Sequence, residues 1–156
     1  MNRIIIQAEE DPLPTWTEKA ERFLLAVLKR LKKDNWDLSV FFCKNEYIRS
    51  LNSQYRNKDE ATDVLSFELG ETIKENGENR YLPGDILISL ETLYENANYF
   101  NVSPDEELRR LLIHGILHLD GMDHSSNLNA KNTDIEDMLL LQEALVAELN
   151  QERILL

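Results

Sequence analysis

The sequence predicts a single α+β domain over residues 1–156, built as a mixed four-stranded sheet packed with about five helices, with a metal site at one helix end. Three observations predict it. Short strand-like apolar runs are interleaved with longer stretches whose apolar residues recur at helical spacing. A hydrophobic content of 42% with only five glycines and four prolines suits a packed globular chain of this length. The only three histidines of the chain fall within eleven residues, at the end of one of the helical stretches.

Taken in order, Arg3 to Gln7 reads as a first strand. Asp11-Pro12-Leu13-Pro14 is a turn, and Thr15 with Glu18 suggests a capping box for a helix whose core stripe is Trp16, Ala20, Phe23, Leu24, Val27, Leu28 and Leu31. Asp37 to Cys43 is a second strand, and a helix from about Asn45 to Tyr55 follows, with Ile48, Leu51 and Tyr55 on one side. Third and fourth strands are expected at Asp63 to Glu68 and Asp85 to Ser89. Between them residues 70–83, rich in Gly and Asn, suggest an exposed loop or loose hairpin.

A short helix then carries Leu90, Leu93, Tyr94, Ala97 and Phe100. Ser103-Pro104-Asp105-Glu106 places proline at the first helical position inside a second capping box. The helix that starts there should end at Gly121. Thr133 and Glu136 suggest a third capping box before a final helix with Ile135, Met138, Leu139, Leu145, Val146 and Leu149 on its apolar face. Gln142 interrupts that stripe.

Composition excludes several function classes. The apolar stretch Ile4–Ile6 is too short for a signal peptide, no run reaches the roughly 20 apolar residues of a membrane span, and one cysteine cannot form an internal disulfide. A soluble, cytoplasmic protein is expected. The formal net charge of −12 disfavours indiscriminate nucleic-acid binding, which needs a broad basic surface. Any such contact must be local, and from Lys44 to Asp59 four positives (Lys44, Arg49, Arg56, Lys58) face two negatives (Glu46, Asp59). On charge alone this patch is equally an ordinary solvated helix face.

The run His114-Gly115-Ile116-Leu117-His118-Leu119-Asp120-Gly121-Met122-Asp123-His124 has the form of a catalytic metal site. Residues four apart share a helical face, so His114 and His118 can point at one ion, and a turn at Gly121 lets His124 supply a third nitrogen. Three neutral imidazoles suit zinc and leave one position for water or substrate. Zinc so held stays dipositive, can polarise a phosphoryl oxygen and can acidify water. A filled fourth position would instead make the metal structural, but Cys43, the obvious extra ligand, reads as core.

The spacing is also that of metzincin peptidases, whose general-base glutamate follows the first histidine. Here that residue is Gly115, so peptide hydrolysis loses its best-supported route. Asp120 and Asp123 could orient a ligand histidine, cap the helix end or face water. Arg110 could reach an anionic substrate or sit in a surface ion pair.

The histidine run resembles the HGxLHLxGxDH signature of the YbeY family, bacterial metal-dependent, single-strand-specific endoribonucleases and rRNA maturation factors. Residues 51–67, LNSQYRNKDEATDVLSF, and Gly84-Asp85-Ile86-Leu87-Ile88-Ser89 resemble the same family in the expected order. Ala61 stands where the family often has proline, and Asp120 where an apolar residue is common. The resemblance implies one Zn2+ per chain on His114, His118 and His124, with His114 and Arg56 in the catalytic machinery and Arg56 and Lys58 binding substrate. Arginine suits that role because its planar fork of donors matches phosphate and keeps its charge.

The implied function is zinc-dependent endonucleolytic cleavage of single-stranded RNA in 16S rRNA maturation and ribosome quality control. Its partners would be ribosomal RNA and the small ribosomal subunit with its proteins. The alternative is a non-catalytic ribosome-assembly factor with a structural zinc. The general base and general acid are not identifiable from the residues alone.

Overall fold

The computed structural model describes residues 1–122 and 132–155, with side chains of the second stretch described from Ile135 on. The elements run β1 (Arg3–Ala8), α1 (Thr17–Arg30), β2 (Asp37–Cys43), α2 (Asn45–Arg56), β3 (Val64–Glu75), β4 (Glu78–Ser89), α3 (Leu90–Tyr99), α4 (Pro104–Leu119) and α5 (Asn132–Glu148). The sheet order is β1-β2-β4-β3, with β1, β2 and β4 parallel and β3 antiparallel to β4. This is the expected α+β arrangement of a mixed four-stranded sheet and five helices. No helix among the described residues is long and apolar enough to cross a membrane.

Strand alternation sorts the core into two layers. Leu38, Val40 and Phe42 of β2 and Ile86 and Ile88 of β4 join a large cluster with α1, α3, α4 and α5. Cys43, Leu65 and Leu87 point to the other face, where Ile48 of α2 covers them. Burial pushes the Cys43 thiol pKa up to about 12, which suits the core role and makes a thiolate ligand costly.

The central β3–β4 hairpin is longer than the sequence suggests. Its strands continue through residues 70–83, and only Asn76 and Gly77 form the turn, both with positive φ (52° and 82°). Asn-Gly is the pair a two-residue hairpin turn prefers. Most of this ribbon is solvated on both faces, so it lacks the apolar alternation by which strands are recognised.

The capping box expected at Thr15 does not form. Trp16 occupies the N-cap of α1 with no side-chain cap, and the entry is wound as a tight turn in which the Thr17 hydroxyl donates to the Pro14 carbonyl at 2.7 Å. At α4 the expectation holds: Pro104 sits at the first helical position and the Ser103 hydroxyl accepts from the Glu106 N–H at 3.1 Å. The side chain of Thr133 lies outside the described residues.

Helix α4 is the central helix, buried along most of its surface between the sheet and α5. Gly115 makes its close approach possible, since a Cβ there would stand 2.8–3.0 Å from three side-chain atoms of the fully buried Ile86. A methyl gains about 1 kcal/mol in helix propensity but costs about 1–3 kcal/mol by overpacking. Gly115→Ala is therefore expected to lower the urea unfolding midpoint, by about 1 kcal/mol in stability. A raised midpoint would mean that Ile86 yields freely.

Candidate functional site

His114 and His118 stand one turn apart near the C-terminal end of α4, both half-buried. Their ring Nε2 atoms approach each other at 2.7 Å. The helix stops just beyond them in a paired C-terminal motif. The Met122 N–H donates to the Leu117 carbonyl at 3.1 Å and the Gly121 N–H to the His118 carbonyl at 3.0 Å, with Gly121 at φ 80°. The predicted glycine turn is thus present. The third expected ligand, His124, and Asp123 lie outside the described residues. Among the described residues, no group of three or more potential metal ligands comes together.

The chemistry of the pair fits a zinc ion. The His114 Nδ1 faces the Gln142 Oε1 at 2.7 Å. The Gln142 amide nitrogen donates to Glu143 Oε2 at 3.1 Å, which fixes the amide with its oxygen toward the imidazole. Glu143 in turn accepts two hydrogen bonds from Arg110, at 2.9 and 3.0 Å, and that guanidinium holds the Glu143 carboxyl below its usual range. His114 Nδ1 is then the protonated nitrogen and Nε2 carries the lone pair, the form in which an imidazole ligates metal. With His114 in that tautomer, the His118 Nε2 is the donor of the 2.7 Å contact, and it must give up that proton to hold an ion.

An open cleft of about 440 Å³ runs from this pair to α2 and the edge strand β3. His114, His118 and Leu119 line one side, and Arg56, Thr62, Asp63, Val64, Ser66 and Glu68 the other. Arg56 ends α2, and the left-handed Asn57 (φ 56°) turns the chain away after it. One guanidinium nitrogen of Arg56 donates to the Ser66 carbonyl at 3.1 Å, which ties the side chain to the cleft rim. Thus Arg56 and two of the three predicted metal ligands, far apart in sequence, line one cleft.

Other expected residues fall elsewhere. Lys58 is exposed and does not line the cleft. Of the basic patch, Arg49 is engaged by Asp59 at 2.8 Å. Arg110 is held in ion pairs with Glu106 and Glu143, which is the surface-pair alternative. Asp120 pairs with Lys33 at 2.8 Å.

Three residues were missed by sequence reasoning. Asp63, just before β3, and Glu68, on it, line the cleft, with Asp63 Oδ2 accepting from the Asn96 amide at 3.1 Å; the expected strand covered both, but only strand order brings that edge to the histidines. Gln142 had a signal, being the polar break in the α5 stripe, and it is only 6% exposed. Of the tyrosines, Tyr81 packs on Trp36, whereas Tyr55 is 62% exposed and edge-on to Phe67, across which Arg56 lies at 6.0 Å. A second cleft at the ends of β1 and β2, walled by Trp16, Phe42 and Tyr94, shares no lining residue with the first.

The family model described as Endoribonuclease YbeY matches residues 4–150. A Treponema denticola protein named Endoribonuclease YbeY is 50% identical over 131 residues, covering 83% of this chain and 81% of its own. One from Treponema pallidum with the same name is 43% identical over 149 residues, covering 95% and 90%. A solution structure of a Thermotoga maritima protein superposes with a TM-score of 0.56 at 28% identity, covering 95% of this chain and 92% of that one. With a family match over residues 4–150 and relatives 43–50% identical over most of its length, this chain belongs to the YbeY endoribonuclease family.

Proposed function

We propose that this chain is a zinc-dependent endoribonuclease that cuts single-stranded RNA in the cytoplasm, in 16S rRNA maturation and ribosome quality control on the small subunit. The observation that carries the reading is the meeting of Arg56 with His114 and His118 in one cleft. His114, His118 and His124 would hold the ion, which when bound supplies Lewis acidity toward a phosphodiester and acidifies water.

The chain's own residues do the rest. Arg56 spends one donor on Ser66 and offers the remainder of its fork to the scissile phosphate, where it stabilises the charge that develops on the non-bridging oxygens. Asp63 and Glu68 supply carboxylates for proton removal at the cleft wall. Tyr55 and Phe67, around the β3 edge from the histidines, offer aromatic surface on which an unpaired base can stack, which supports a single-stranded substrate. A local cluster of this kind is consistent with a chain of net charge −12, which has no broad basic face for duplex.

The test is metal content by elemental mass spectrometry together with cleavage of a single-stranded RNA by wild type and Arg56→Ala. One zinc per chain in both is expected, with cleavage by the variant lower by about 10²–10³, the size of effect seen when a transition-state donor is removed. One zinc with equal cleavage in both would instead favour the ribosome-assembly factor with a structural zinc, a reading to which the acidic surface lends some support.

A further inference from the structure

The strongest unassigned feature is the chain of hydrogen bonds behind His114. It runs from the cleft into the helix pair and involves a polar residue that α5 buries in its apolar stripe. We infer that Gln142 is a positioning residue that locks His114 in the Nδ1–H tautomer and so aims its bare Nε2 at the metal. This rests on the reading of His114 as a metal ligand.

The direction of every bond follows from chemistry. Arg110 can only donate, and it donates twice to Glu143. Glu143, a carboxylate engaged by a guanidinium, can only accept. The Gln142 amide nitrogen therefore faces Glu143, at 3.1 Å, and its carbonyl oxygen faces His114 Nδ1, at 2.7 Å. A carbonyl oxygen cannot donate, so that ring nitrogen carries the proton. A neutral imidazole then has no proton on Nε2, and the Nε2 of His118 completes the network by donating to it at 2.7 Å.

Burial makes the lock effective. Gln142 is almost fully buried and His114 half-buried, so water is a poor substitute acceptor for the Nδ1 proton. With the acceptor removed, the ring gains by moving its proton to Nε2, where the His118 Nε2 can accept in a reversal of the existing bond. His114 would then present a proton, not a lone pair, toward the ion. Groups that orient a metal-binding imidazole through its second nitrogen typically change metal affinity by about 10–100-fold when lost.

The test uses the full chain with Gln142→Leu, which keeps bulk and removes the acceptor, and Gln142→Glu, which keeps the acceptor. Long-range ¹⁵N–¹H correlation on metal-free protein, above the pH at which imidazole is neutral, reads the tautomer of His114 directly. Zinc affinity is read by competition with a chelator. In wild type and Gln142→Glu the Nδ1–H form is expected, with similar zinc affinity. In Gln142→Leu the Nε2–H form should dominate and zinc should bind about 10–100-fold more weakly.

A Gln142→Leu protein that keeps the Nδ1–H tautomer and wild-type zinc affinity overturns the inference, since a merely packing role would lower thermal stability without moving either reading. If the leucine variant fails to fold, Gln142→Met, equally devoid of a strong acceptor and more pliable, gives the same reading. Should wild type bind no zinc at all, the metal reading of the site fails, while the tautomer of metal-free His114 still decides the role of Gln142.

Discussion

His114→Ala is expected to abolish zinc retention and cleavage together. The substitution removes one of the two imidazoles that converge at the end of α4, and with it one of the nitrogens on the cleft wall facing Arg56. Remaining ligands cannot compensate, because a site of three protein ligands is reduced to two. The fold should survive. His114 is half-buried, and its loss leaves the buried Gln142 oxygen without its donor, a cost of about 1–3 kcal/mol. Elemental analysis, RNA cleavage and a thermal melt on the same preparation read all three consequences. A zinc-free His114→Ala protein that cleaves at the wild-type rate would sink the proposed mechanism. Arg56→Ala is the complement, since it touches the cleft wall and leaves the ligand set intact.

The second large effect is structural and lies at the opposite end of the sheet. Asp37, at the start of β2, accepts from Arg3 at 2.8 and 2.6 Å and from Arg80 at 3.0 and 2.8 Å. Arg80 is only 6% exposed and also donates to the Met1 carbonyl, so the group joins β1, β2 and β4. Removing the carboxylate leaves a buried guanidinium without its counter-charge. Asp37→Ala is expected to cost about 3–5 kcal/mol, which for a chain of this size lowers Tm by roughly 6–20 °C.

The same group sets a pH dependence. Hydrogen bonds from Arg3, opposed by burial and reinforced by Arg80, hold the Asp37 carboxyl well below the usual carboxylate range. A depressed folded pKa means the stabilisation is complete above the unfolded value, about 3.9, and is lost as pH falls below it toward the folded one. Urea unfolding of wild type and Asp37→Ala should therefore differ by a constant amount from neutral pH down to about 5, with the gap closing at more acid pH. A gap below about 1 kcal/mol at neutral pH would show that Arg80 finds another partner.

Local rules carried far in this chain. The α4 start at Ser103-Pro104 and its stop at Gly121 were readable because capping chemistry acts within a turn. The β1, β2 and α2 spans follow from periodicity, and their observed bounds agree to within a residue or two. Reading failed where pairing, not burial, decides. The β3–β4 ribbon extends through a largely solvated stretch on its backbone ladder and on contacts of Glu75, Arg80 and Tyr81 with β1, β2 and Trp36, and the Thr15 cap gave way to a turn built by Pro14 and Thr17. Asp37 with Arg3 and Arg80 was equally hidden, since its partners are 34 and 43 residues away.

By itself the sequence determined the class of the fold, the helix that carries the histidines, and the family to which the chain belongs, because these rest on periodicity, caps and contiguous motifs. Only the tertiary structure decided which side chains share the cleft. Arg56 lines the same cleft as His114 because β3 lies at the sheet edge between α2 and α4, a consequence of strand order. Gly115 is explained by the approach of α4 to Ile86, and the Gln142 break in an apolar stripe by an imidazole on the neighbouring helix. Each of these depends on contacts between segments distant in the chain, where no local spacing can specify the partner.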